Sequence, residues 1–66
     1  MSKEYRIMAY FTDVYTPRSY KRKIFGSLAE AEAVFEEAKE YYSSYMHLDR
    51  VEIESRNVSE WRAEEL

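Results

Sequence analysis

An α+β fold of ββαββ order is predicted: one helix packed on one face of a four-stranded antiparallel sheet, strand order 2-1-3-4. Three observations lead there. Residues 4–12 alternate between apolar and polar, residues 27–46 repeat apolar side chains at steps of three and four, and residues 50–55 alternate again. A period of two marks a half-buried strand, and a period near 3.6 marks an amphipathic helix. Sixty-six residues hold one domain, residues 1–66, and a chain of that length buries only about 60% of its unfolded surface.

The first strand runs from Glu4 to Thr12. Tyr5, Ile7, Ala9 and Phe11 fall on one face; Arg6, Met8, Tyr10 and Thr12 fall on the other. Asp13 to Arg18 reads as a turn, because Pro17 has no N–H for a ladder. Ser19 to Phe25 reads as a second strand of ambiguous facing, with Tyr20, Arg22 and Ile24 on one side and Lys21, Lys23 and Phe25 on the other.

The helix is the firmest element, predicted from Ser27 to Met46. Ser27 followed by Glu30 is a Ser-x-x-Glu capping box, in which the Glu30 carboxylate reaches back to the Ser27 N–H. Leu28, Ala31, Phe35, Ala38, Tyr42 and Tyr45 form the inward stripe, flanked by Val34, Tyr41 and Met46. Arg50 to Ser55 is the third strand, with Val51 and Ile53 inward. Arg56-Asn57 is a turn. Residues 60–65 then fit a fourth strand around Trp61 and Ala63, and a short helix over residues 59–66 fits nearly as well.

Composition excludes several classes. There is no cysteine, hence no disulfide framework and no thiolate metal site, which favours a reducing, cytoplasmic setting. No apolar run approaches membrane-spanning length, and the first residues lack the apolar core of a signal peptide. The single glycine, Gly26, excludes a glycine-rich phosphate loop. His47 is the only histidine, and at a helix C-terminus it serves better as a cap than as a base. No metal-ligand spacing occurs. A general acid–base pair needs a water-excluding cleft, which one helix on one sheet does not offer. The chain is therefore expected to be no enzyme and to carry no cofactor.

Charge is divided along the length. Residues 1–26 hold six basic and two acidic side chains; residues 27–66 hold four basic and eleven acidic. The halves are +4 and −7, which sum to the formal −3. Opposite charge on two parts of a small surface suits docking by electrostatic complementarity.

Three surfaces are candidates. Arg18, Lys21, Arg22 and Lys23, interleaved with Tyr15 and Tyr20, have the cations and rings that nucleic acid requires. The plain alternative is an edge strand protected by lysine and arginine. Glu30, Glu32, Glu36, Glu37 and Glu40 form an acidic outer helix face, extended by Glu52 and Glu54 and by Glu60, Glu64 and Glu65 near the terminus. The plain alternative there is a solvated face, although only Lys39 supplies the mixed sign that i,i+4 pairs use. Met8 and Tyr10, with Tyr20 across from them, form an open-face patch, read either as a partner or homodimer surface or as ordinary cross-strand pairing.

Short, cysteine-free, acidic and tyrosine-rich, the chain resembles in general character the accessory proteins of phages and mobile elements, anti-CRISPR inhibitors among them. The resemblance is one of composition and element order. It implies a binding protein whose glutamates, Glu30, Glu36, Glu37, Glu40, Glu52 and Glu54, imitate phosphates against a basic channel of another, nucleic-acid-binding protein. Tyr10, Tyr15, Arg18 and Tyr20 would supply anchoring contacts. The second reading is a nucleic-acid-binding regulator using the Tyr15–Lys23 hairpin, and the third is a homo-oligomeric structural subunit.

Overall fold

The first and third strands form the centre of the sheet, and every other element is attached to that pair. In the computed structural model, which describes residues 3–12, 16–57 and 61–64, β1 (Glu4–Phe11) pairs antiparallel with β3 (Leu48–Arg56) from Glu4↔Arg56 to Phe11↔Leu48. β2 (Arg18–Ser19) flanks β1, and β4 (Arg62–Ala63) flanks β3. The order is β2-β1-β3-β4, all antiparallel, with α1 (Leu28–Tyr42) packed across one face. This is the predicted ββαββ architecture.

The core lies where the alternation placed it. Ile7, Ala9 and Ile53 from the sheet meet Ala31, Ala38 and Tyr42 from the helix, all buried. Ala31 and Ala38 have no bulk beyond Cβ, so the helix sits close to the sheet. The helix start also follows expectation: Ser27 Oγ accepts the Glu30 N–H at 3.2 Å. The Glu30 carboxylate, however, takes the Gly26 N–H at 3.4 Å, one residue before the expected donor.

Two expectations are corrected. The helix ends at Tyr42, short of Met46. The Ser43 hydroxyl donates to the Glu40 carbonyl at 2.6 Å; serines that bond the backbone in this way compete with helix continuation. His47 therefore stands five residues beyond the helix end. It occupies the left-handed region, φ 64°, and its carbonyl accepts the Thr12 N–H at 2.8 Å where β3 begins.

The second correction concerns the second strand, which is broken. After Ser19 the chain leaves the ladder in a 3₁₀ turn over Tyr20–Arg22 and returns at Phe25, which bridges Tyr5. Ser19 lies opposite Met8 and Phe25 opposite Tyr5. Three steps along β1 are thus met by six along the partner, and an odd number of extra residues reverses facing. That reversal allows both Tyr20 and Phe25 to be buried, which no regular strand permits. A smaller irregularity between Tyr10 and Phe11 skips Asp49 and turns Leu48 toward the core, so β3 starts earlier than Arg50.

Of the two readings of the C-terminal segment, the fourth strand is the one observed: Glu54↔Ala63 and Ser55↔Arg62 pair, and the Glu64 N–H donates to the Ile53 carbonyl at 2.8 Å. An eight-residue helix would be marginal alone, whereas the edge of β3 offers ready partners.

Candidate binding surfaces

The open sheet face is a closed polar network. Glu54, only 4% exposed, receives Arg6 Nε and Nη2 on Oε1 at 2.9 and 2.8 Å and the Tyr10 hydroxyl on Oε2. Such charge-assisted bonds are what make a buried carboxylate tolerable. Burial, followed by the bond to Glu54, pushes the Tyr10 hydroxyl up to about 12. The guanidiniums of Arg6 and Arg56 lie 4.3 and 4.7 Å from the Trp61 ring centre, and that of Arg50 lies 4.4 Å from Tyr10. Arg56 also pairs with Glu4 at 2.8 Å, and Arg50 with Glu52 at 3.4 Å.

This arrangement changes the site expected there. Met8 is buried at 8% exposure, between Ser19 and Glu52 in register, and Tyr20 points to the core instead of across from it. Met8 therefore does not stand exposed beside Tyr10 on this face. Glu52 and Glu54 lie on the face of the sheet away from α1, so they do not extend the acidic helix face. Positive and negative charges alternate over the open face instead of separating.

Elsewhere the acids are arranged as the periodicity implies. Glu30, Glu32, Glu36, Glu37 and Glu40 are all exposed on α1. Lys39 pairs with Glu36 at 3.1 Å, and Lys21 with Glu37 at 3.3 Å. Glu37 also accepts the Tyr20 hydroxyl at 2.5 Å. That hydrogen bond, with Lys21 beside it, holds the Glu37 carboxyl below the usual range, and the same bond pushes Tyr20 up to about 12.

Against the C-terminal half of α1, the 3₁₀ turn encloses an open groove of about 960 Å³. Its walls include Arg18, Lys21, Arg22, Tyr41, Tyr42 and Tyr45. The tyrosines pack on one another, with Tyr41–Tyr42 and Tyr42–Tyr45 ring centres 5.0 and 5.1 Å apart, and the Tyr45 hydroxyl bonds that of Tyr41 at 3.3 Å. A second hollow of about 260 Å³ shares Arg18 and Tyr45 and continues to Phe11 and Met46.

Of the residues singled out from sequence, Arg18 lines this groove and Tyr20 forms its floor. Tyr15 lies outside the described residues, as do Glu60 and Glu65. Tyr41, Tyr45 and Met46 were not anticipated as site residues. The available signal was the Tyr41-Tyr42 doublet: neighbours 100° apart on a helix cannot both face the core, so one ring must stand at its edge.

No family model, curated protein or solved structure matches the chain. Among the described residues, no helix is long and apolar enough to cross a membrane.

Proposed function

We propose that this is a non-enzymatic, cytoplasmic binding protein that lays the outer face of α1 on a basic, nucleic-acid-binding surface of another protein. The observation that carries this reading is the exposed carboxylate row on a convex surface. At 100° per residue, Glu36 and Glu40 lie at the crest with Ala29 and Ala33, while Glu30, Glu32 and Glu37 stand on the flanks. Glu32, Glu36 and Glu40 repeat every four residues, which spaces them by about 6 Å along the axis. The two alanines leave room for a partner's long cationic side chains to approach the backbone.

The pairs with Lys39 and Lys21 do not oppose this. Glu36 is 80% exposed and Glu37 59%, and exposed ion pairs contribute little and open readily. The likeness in size and composition to anti-CRISPR inhibitors points the same way. Glu52 and Glu54 are left out of this interface because they belong to the opposite side of the sheet.

The test is a capture experiment with the triple variant Glu32→Lys/Glu36→Lys/Glu40→Lys. The wild-type protein should retain a nucleic-acid-binding host protein that added DNA or RNA displaces, and the variant should retain none. A partner still held by a correctly folded triple variant would remove the decoy reading.

A further inference from the structure

The basic and aromatic groove stands beside the acidic face of α1 and plays no part in the binding proposed for that face. We propose that the groove between the 20–22 turn and the C-terminal half of α1 binds single-stranded nucleic acid. Arg18 and Arg22 take phosphates, and Tyr41 and Tyr45 offer ring surfaces to bases.

Charge selects an anion. Three cations line the groove, and none of its described lining residues is acidic. Lys21 is partly held by Glu37, whereas Arg18 and Arg22 form no ion pair among the described residues. Shape and ring content select the class of anion. Tyr41 is 54% exposed, and Tyr45 is half-buried between the two hollows. Stacking on aromatic rings beside guanidiniums is how extended strands are held irrespective of sequence. In a duplex the base faces are covered by their neighbours, so only an unpaired strand can use the rings.

The backbone adds an independent observation. Lys21 and Arg22 are consecutive residues in the left-handed region, φ 53° and 52°, a conformation that glycine adopts with far less strain. The only glycine in the chain is Gly26, whose φ is not positive. The strained pair therefore directs two long cationic side chains out of the turn at the groove, and backbone strain of this kind clusters at ligand-holding sites.

Fluorescence anisotropy with a labelled oligothymidylate tests the proposal. Binding should weaken with salt at a log–log slope of about −1.4, as expected for two phosphate contacts on a single strand. Arg18→Ala and Arg22→Ala should each reduce that slope by about 0.7. Tyr41→Ala should weaken binding roughly 5- to 150-fold at every salt concentration with the slope unchanged. Duplex DNA of the same length and polyglutamate should compete poorly. No binding at low salt, equal competition by duplex, or equal competition by polyglutamate would each overturn the proposal. Displacement by inorganic phosphate at concentrations matching the oligonucleotide's phosphate would reduce the groove to a simple anion site and likewise overturn it.

Discussion

Glu54 shows how a single residue departs from its pattern-based role. By alternation it is an outward-facing strand glutamate, and so an acidic surface group. In the fold it is nearly fully buried, because Tyr10 and Arg6 on the neighbouring strand close over it and Trp61 lies against Arg6. Removing one member of such a pair leaves the other charge without compensation. Glu54→Ala is expected to destabilise the protein by about 2–3 kcal/mol, below the figure for a fully buried pair because Arg6 keeps some contact with water. Urea unfolding measures this, and a midpoint unchanged from wild type would show the network to be ornamental to stability. Tyr20 departs for a related reason. Its partner, Glu37, is on the helix, a contact that no strand period encodes.

Among elements, the 20–22 turn was the least legible and the helix N-terminus the most. A capping box is written in adjacent residues, and Ser27 and Glu30 carry it out locally. The turn contains no glycine, asparagine or proline to announce a left-handed bend, and alternation through Tyr20–Phe25 looked like a strand. The strain there has a measurable consequence. Lys21→Gly and Lys21→Ala remove the same charge and the same pair with Glu37, yet only glycine relieves the positive φ. The glycine variant should exceed the alanine variant in stability by about 1 kcal/mol, or roughly 4–8 °C in Tm for a domain of this size. Equal melting temperatures would show that the turn is unstrained.

For the whole molecule, pH dependence follows from where protons are held. Tyr10 and Tyr20 have hydroxyls raised from the ordinary 10.0 to about 12. Above pH 10 the unfolded chain releases these protons while the folded chain keeps them. Their stabilisation is therefore complete below pH 10 and is lost progressively as pH approaches 12. Glu37 works in the opposite direction. Its lowered value contributes stability at neutral pH that disappears as acid protonates it. Thermal unfolding followed across pH should show a plateau that falls on both sides, with late tyrosinate absorbance on the alkaline limb. Flat stability from pH 9 to 12 would contradict the Tyr10 and Tyr20 assignments. The particle, 38 × 23 × 20 Å, thus has three surfaces of different kinds: an acidic helix face, a basic aromatic groove beside it, and a sheet face on which charges neutralise one another.

Much of this is legible in the sequence alone. Strand and helix periods reflect how neighbouring side chains project from a backbone, a local property, and from them came the element order, the 2-1-3-4 sheet and most of the core. Facing beyond a bulge, the burial of Glu54 and Tyr20, and the groove walled by Arg18 and Arg22 depend on residues far apart in the chain meeting in space. Three extra residues between Ser19 and Phe25 reverse a face, and no reading of adjacent residues contains that count, because it arises only when β1 supplies the register.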